Sequence, residues 1–230
     1  MLAAVEEAEH FVTQLSSEPR GTLRVTAPPS FGTFHLTPAI ADYETIYTDV
    51  YVYLALNDGL VDLLGGGFDV GLKIGPLPDS RMIARKLAYT RLVVCGVPTY
   101  FEQHGIPRGI EDLARHNCLR DTQSRPKDEW LFKGPAGEFS LRVEGDFEAS
   151  ASDAVRMAAL SRRGLAQLPT YLVGLDLKAG TLESVLRDYE PEPLLIHALY
   201  PDRRHLAATV RTFVEFLRAR FHPSPYWERN

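Results

Sequence analysis

The sequence predicts an α/β protein made of two clusters in which strands and helices alternate. The alternation runs from residue 21 to Pro98, and the same pattern begins again beyond that proline. No Ser/Gly-rich linker separates the clusters, so we expect strands to run directly from one cluster to the other. The chain has 230 residues, 45% of them hydrophobic, which suffices for one large domain or two modest ones with packed cores.

Composition and charge exclude several classes of protein. With 25 basic and 30 acidic residues the net charge is −5, and such a chain does not hold nucleic acid by its own net field. Two cysteines among apolar neighbours predict buried, reduced thiols and no disulfide framework. No segment reaches the roughly 18 apolar residues of a membrane span. The acidic N-terminus is unlike a signal peptide, so we expect a cytoplasmic protein with no membrane partner.

The first cluster follows an N-terminal helix over residues 2–15, whose apolar residues recur every three or four positions. That stripe could cover its own domain or pair with a second copy. The cluster itself is predicted as strand 22–26, helix 34–47, strand 50–56, a short helix at 61–64 ended by three glycines, and strand 68–74.

The second cluster begins with a long strand over 87–97. It continues with helices at 100–104 and 110–113, strands at 118–120, 130–132 and 140–149, helix 153–160, strand 164–168, a helical turn at 169–175, and strands at 181–186 and 194–200. A final helix is predicted over 206–221. The C-terminal segment that contains this helix is rich in arginine, and these arginines form either a solvated helix face or a binding patch. The spacing favours mostly parallel sheets.

The sequence contains no recognisable catalytic or cofactor motif. The glycine-rich segment 65–71 follows a helix and precedes a strand, the reverse of a phosphate-binding loop. The seven histidines and two cysteines lack metal-ligand spacing, and there is no Gly-x-Ser-x-Gly elbow. We therefore predict no catalytic residues, no metal and no cofactor.

Two strand-to-helix turns stand out as candidate binding elements. Ser30 opens a helix after the first strand, and the turn 150–153 ends a strand and opens a helix in the second cluster. Serine is a common helix N-cap, which is one explanation for both. The other is ligand binding, which in open α/β sheets occurs at the carboxyl ends of strands. If the clusters face each other, two helix N-termini would offer N–H donors to a small anion such as a carboxylate.

The candidate ligand-binding residues all follow predicted strands. Lys73 could add a positive charge to this edge or could point away from it. The basic turn at Arg162 and Arg163 is not used to predict the chemistry of the ligand. The predicted binding residues are Ser30, Phe31, Gly32, Asn57, Asp58, Ile74, Gly75, Pro76, Ser150, Ser152 and Asp153.

Four sequence blocks carry a resemblance to a known family. They are GTLRVTAPPSFG (residues 21–32), VDLLGGGFDVGLKIGPLPDS (61–80), LVVCGVPTY (92–100) and ALYPDRRH (198–205). In this order they resemble the effector-binding domain of LysR-type transcriptional regulators, over essentially the whole chain. The triple glycine departs from a usually more polar helix end.

The resemblance implies two Rossmann-like subdomains joined by two crossover strands, as in periplasmic binding proteins. Residues 1–20 would be the remnant of a linker helix. Residues 21–97 with 198–230 would form subdomain I, and residues 98–197 subdomain II, with crossovers near 94–98 and 196–200. Effectors of this family bind between the subdomains, where Ser30 and the turn 150–152 match positions that commonly line the cleft.

The function that the resemblance implies is the sensing of a small-molecule effector to control transcription. We expect a homo-oligomer, dimer or tetramer, that contacts DNA only through an N-terminal winged helix-turn-helix absent from this sequence. One alternative is a free-standing periplasmic-type solute-binding protein, which would need export. Another is an enzyme on the same fold, which would need a nucleophile, base or metal constellation.

Overall fold

The computed structural model describes residues 18–57, 66–77, 82–122, 128–202 and 206–228. The chain divides into two compact units, Met1–Ala88 with Leu195–Pro223, and Tyr89–Leu194 with Ser224–Asn230. The predicted N-terminal helix and the short helix at 61–64 lie outside the described residues. No helix in the described part of the chain is long and apolar enough to span a membrane.

The first unit contains one five-stranded sheet and two long helices. Its strands are β1 (Gly21–Ala27), β2 (Val50–Leu56), β3 (Val70–Ile74), β4 (Met82–Thr90) and β12 (Leu194–Pro201), the last two running across the division between units. Helix α1 comprises an α-helical turn (Pro29–Phe31), a π-helical turn (Gly32–Leu36) and an α-helical stretch (Thr37–Ile46), and α5 spans Ala208–Phe221.

The first sheet has the strand order β2-β1-β3-β12-β4. β1 pairs in parallel with β2 and β3, whereas β12 is antiparallel to β3. The prediction of a mostly parallel sheet therefore holds for the three strands that are linked by crossovers. Tyr43 of α1 is fully buried, and its ring packs 5.1 Å from that of Phe213 of α5, which joins the two helices. The Tyr43 hydroxyl also lies 2.8 Å from Thr212 Oγ1.

The second unit contains a second five-stranded sheet and a separate hairpin. Its elements are β5 (Leu92–Gly96), α2 (Pro98–His104), a 3-10 turn (Ile110–Arg115), β6 (Cys118–Asp121), β7 (Glu129–Gly134), β8 (Gly137–Arg142), β9 (Glu148–Ala149), α3 (Ser152–Leu160), β10 (Leu165–Pro169), α4 (Thr170–Ala179), β11 (Glu183–Val185), and 3-10 turns at Arg187–Tyr189 and Tyr226–Glu228. The sheet order is β11-β5-β10-β6-β9, and β7 pairs with β8 alone.

This second sheet is also mixed. β6 is parallel to β10 and β9, but β5 is antiparallel to β10 and β11. The sequence predicted one strand over 87–97, which the structure breaks at Arg91 into β4 and β5. Because β5 pairs with β10 and β11, the chain enters the second unit before β5 begins. The division therefore falls between Ala88 and Tyr89, earlier than the crossing expected near residues 94–98.

The C-terminal segment belongs to the second unit, although the sequence placed it in the first. Trp227 is 4% exposed, and its indole N–H donates to the Tyr89 carbonyl oxygen at 3.1 Å. Helix α4 presents Gly174 to the Trp227 backbone, since a Cβ at Gly174 would lie 2.3 Å from the Trp227 oxygen. Burial of this indole ties residues 224–228 to the second unit.

Both cysteines are buried free thiols, as the sequence predicted. Cys95 lies on β5 and Cys118 begins β6. Burial raises the pKa of the Cys95 thiol to about 12 and that of Cys118 to about 12, because a thiolate loses its hydration there. Neither thiol is therefore in a nucleophilic form near neutral pH.

Candidate functional site

The carboxyl ends of three neighbouring strands form the first candidate edge. β1 lies between β2 and β3 and is parallel to both, so the segments that follow these strands meet at one edge of the sheet. The Asn57 N–H donates to the Ala27 carbonyl oxygen at 2.9 Å, which joins the ends of β2 and β1. The structure thus brings together the predicted residues that follow β1, β2 and β3 within the first unit. Asp58 lies outside the described residues.

The start of α1 excludes the first explanation for Ser30, in which this serine is the helix N-cap. Pro28 is the N-cap residue and Pro29 the first helical residue, so Ser30 is the second residue of the helix and 7% exposed. The Gly32 N–H donates to the Pro28 carbonyl oxygen at 2.8 Å. Prolines have no N–H, so the backbone donors at this helix start belong to Ser30 and Phe31. They carry the partial positive charge of the helix N-terminus.

Gly32 allows the helix start to approach the end of β2 closely. A Cβ on Gly32 would lie 2.2 Å from Leu56 Cδ2, so a side chain here would require the Leu56 side chain to move. The π-helical turn begins at this glycine, where the Thr37 N–H and the Thr37 hydroxyl both bond to the Gly32 carbonyl oxygen, the hydroxyl at 3.0 Å. Single π-helical turns are frequent at functional sites. The sequence did not predict this turn.

The loop after β3 leaves the same edge through a glycine turn. Gly75 has a φ of 86°, a left-handed conformation that favours glycine. Its N–H donates to the Leu195 carbonyl oxygen at 2.9 Å, and Ile74 is in register with Ile196 of β12. Pro76 is exposed beyond the turn. Lys73 precedes this turn within β3 and is in register with His197.

The second candidate edge lies in the second unit, at the ends of β6 and β9. Asp121 is in register with Ala149, and the Thr122 N–H donates to the Ala149 carbonyl oxygen at 2.9 Å. The N-cap of α3 is Ala151, so neither Ser150 nor Ser152 caps the helix as the sequence suggested. In an N-cap, the serine hydroxyl oxygen would accept a hydrogen bond from a backbone N–H of the first helical turn.

Ser152 instead donates its hydroxyl to Asp121 Oδ2 at 2.5 Å. Asp121 is a residue that sequence reasoning missed; its only signal was its place at the end of a predicted strand. Asp153 lies in the first turn of α3, where the helix N-terminus stabilises a carboxylate, and its Oδ1 is buried without a hydrogen-bond partner among the described residues. Ser150 is exposed.

The two edges thus differ in chemistry. The first offers backbone donors at Ser30 and Phe31, and its described residues 28–32, 57 and 74–77 include no acidic side chain. The second offers the carboxylates of Asp121 and Asp153, which accept hydrogen bonds. Across the described ranges, no group of three His, Cys, Asp or Glu side chains could hold a metal ion.

Known proteins that are similar to this chain include transcriptional regulators. A model of the LysR substrate binding domain matches residues 16–222. An uncharacterized HTH-type transcriptional regulator of Haemophilus influenzae is 29% identical over 210 residues, which cover 91% of this chain and 73% of that protein.

Two solved structures are similar over most of the chain. CrgA, a LysR-type transcriptional regulator from Neisseria meningitidis, superposes with a TM-score of 0.81 at 27% identity, covering 95% of this chain and 74% of CrgA. The CrgA regulatory domain alone superposes with a TM-score of 0.79 at 28% identity, covering 87% of this chain and 98% of that domain.

Proposed function

The chain belongs to the LysR substrate-binding domain family, and from this premise we propose that it senses a small anionic effector and thereby controls transcription. The observation that carries the proposal is the edge formed by β1, β2 and β3. There the helix start supplies the Ser30 and Phe31 N–H groups, and the described residues of this edge include no acidic side chain. A carboxylate is the ligand group that such a helix N-terminus favours.

The second unit supports a more specific description of the ligand. Asp121 and Asp153 would repel a second anionic group but would accept hydrogen bonds from hydroxyl or ammonium groups. We therefore propose a small carboxylic acid that also carries a hydroxyl or amino donor.

Control of transcription would follow from linkage between ligand binding and assembly. A ligand shifts a conformational equilibrium only by its difference in affinity for the two states. We propose that the domain works as a dimer or tetramer in the cytoplasm, and that DNA is bound by a helix-turn-helix domain of the full-length regulator. The ligand would favour one arrangement of the oligomer over another.

The alternative functions have weaker support. A periplasmic-type solute-binding protein shares the architecture, but the relatives are named as transcriptional regulators. An enzyme would need a reactive nucleophile or a metal, and the two thiols are buried with raised pKa values. Regulation by a bound effector is therefore the function we propose.

Isothermal titration calorimetry with a panel of small hydroxy and amino acids tests this function. We expect at least one saturable ligand, lost in Ser30→Trp because the indole would fill the space at the helix start. Thr33→Trp is the matched control, since Thr33 is exposed on the same helix and its replacement should leave binding intact. Retained binding by Ser30→Trp would place the site elsewhere.

A further inference from the structure

The second unit contains a groove of about 600 Å³ that the proposed function does not use. One of its lining residues, Asn117, directly precedes β6, and Arg163 precedes β10 by two positions. The groove therefore lies at the amino edge of the sheet, opposite the edge of Asp121 and Ser152. Three arginines, two histidines and a tyrosine line it, and we call it the arginine groove: Tyr100, His104, Arg115, His116, Arg162 and Arg163.

Arg162 adopts a backbone conformation that favours glycine. Its φ is 67°, in the left-handed region. The Arg162 N–H donates to the Ala159 carbonyl oxygen at 3.0 Å and the Arg163 N–H to that of Ala158 at 3.1 Å, so α3 ends in a Schellman motif with Arg162 at the position usually held by glycine. Arg162 is exposed, and backbone strain at an exposed residue points to a function for its side chain.

The groove wall is fixed by the side chain of Asn117. Its Nδ2 donates to Asp146 Oδ1 at 2.7 Å and to the Arg163 carbonyl oxygen at 2.6 Å, and its Oδ1 accepts the Asp146 N–H at 2.9 Å. Gly164 lets this contact form, since a Cβ there would lie 2.1 Å from the Asn117 carbonyl oxygen. The turn that carries the two arginines is therefore held in place without a ligand.

A second set of contacts fixes the histidine side of the groove. The Tyr100 hydroxyl accepts the Asn117 N–H at 3.1 Å and lies 3.3 Å from His116 Nδ1. His104 stacks on Tyr100 with ring centroids 4.2 Å apart.

Hydrogen-bond donors exceed acceptors in this groove. Asp146 is already bonded to Asn117 and, through Oδ2, to Arg163 Nη2 at 2.7 Å, which leaves Glu144 as the remaining acidic side chain of the lining. Arg162 forms no ion pair with any described residue. A guanidinium has five N–H donors, so even the paired arginines keep donors unused.

We propose that the arginine groove binds a small oxyanion with two or more negative charges, of the phosphate or phosphate-monoester class. Guanidinium groups bind such oxyanions through paired N–H···O bonds. Arg162 supplies a guanidinium that forms no ion pair with a described residue, and Arg115 and Arg163 of the same lining supply further donors. This site is separate from the carboxylate-binding edge of the first unit, so the two ligands can be tested independently.

Titration of the 230-residue chain with inorganic phosphate at constant ionic strength tests the site. We expect saturable binding by calorimetry, weakened at least tenfold in Arg162→Gly. Because glycine relieves the left-handed strain, Arg162→Gly should also raise the melting temperature by about 2 °C or more. Arg142→Ala removes an exposed arginine outside the groove and should change neither quantity.

Gain of stability with loss of binding is the result that a purely structural arginine cannot give. Absence of saturable phosphate binding, or equal binding by Arg162→Gly, overturns the proposal. A lower melting temperature in Arg162→Gly overturns it as well, since the arginine would then serve the fold. Binding of a 20-base-pair DNA duplex that depends on Arg162, without binding of free phosphate, would identify a nucleic-acid surface and reject the small-ligand site.

Discussion

The Arg91 guanidinium and the Glu228 carboxylate form an ion pair, with Nε and Oε2 2.9 Å apart. Arg91 separates β4 from β5, and Glu228 lies in the last turn that the structure describes. Glu228 also accepts the Arg91 N–H at 3.2 Å and the Thr170 hydroxyl, and its side chain is 3% exposed. The contacts hold the C-terminal segment on the second unit, beside the strand at which that unit begins.

Replacing this buried carboxylate should destabilise the second unit. Glu228→Ala removes the carboxylate that accepts from Arg91 Nε and from the Thr170 hydroxyl. Because the Arg91 guanidinium keeps Glu190 as a partner at 2.9 Å and the Arg91 N–H keeps the Thr170 hydroxyl oxygen at 2.9 Å, we expect a loss of about 1 kcal/mol. Urea unfolding measures it. Glu192→Ala is the control: Glu192 pairs with Lys133 at the surface of the same unit, and its loss should leave the free energy of unfolding almost unchanged. Equal effects in the two variants would contradict this assignment.

Gly174 in α4 should not tolerate alanine. Glycine to alanine inside a helix ordinarily stabilises by about 1 kcal/mol. Here the added Cβ would lie 2.3 Å from the Trp227 carbonyl oxygen, so the C-terminal segment would be displaced. We expect Gly174→Ala to lower the melting temperature and to increase tryptophan exposure, measured by acrylamide quenching. A more stable Gly174→Ala protein would show that residues 224–228 do not dock on α4.

Stability should fall as the pH falls below about 6.5. Burial lowers the pKa of His116, helped by His104, and burial with the nearby Lys86 lowers the pKa of His197. The pH window lies between the pKa values of these histidines in the folded protein and their pKa of about 6.5 in the unfolded chain. Within this window the unfolded chain binds more protons than the folded protein, so the free energy of unfolding rises with pH. Urea midpoints at pH 7.5 and 5.5 measure this difference. The double variant His116→Asn/His197→Asn should show a smaller difference; an equal one would contradict the assignment.

The two thiols should be inert in the folded protein. Cys95 and Cys118 are buried, and both pKa values are raised to about 12. Ellman's reagent at pH 7.5 should therefore label less than a tenth of a thiol per chain within minutes, and both thiols after addition of urea. Rapid labelling without denaturant would reveal an exposed, reactive cysteine and revive a redox role.

Local pattern predicted much of the fold because strand and helix alternation records which segments pair in parallel. It therefore identified the carboxyl edge that joins Ser30, Asn57 and Gly75. The pattern did not predict that β5 is antiparallel to β10 and β11, because the direction of a strand depends on the path of the chain that leads into the sheet. The docking of Trp227 on α4 likewise depends on contacts between segments distant in sequence.

The local structure around the candidate site depends partly on contacts that the sequence does not show. The two prolines before Ser30 signal a helix start, and greater weight on them would have excluded Ser30 as the N-cap. The Ser152–Asp121 hydrogen bond joins residues 31 positions apart, and no local pattern indicates it. The left-handed φ of Arg162 could not be predicted either, because the sequence shows that this turn is basic but does not show its backbone conformation.

The proposed function depends on a small carboxylate that binds at the start of α1. Two-dimensional ¹H–¹⁵N NMR during titration with the ligand selected by calorimetry observes this contact. We expect the amide signals of Ser30 and Phe31 to shift downfield with the same saturation curve as the calorimetric heat, because their N–H groups bond to the carboxylate. Saturable heat with both amide signals unmoved would show that the carboxylate does not bind at the start of α1.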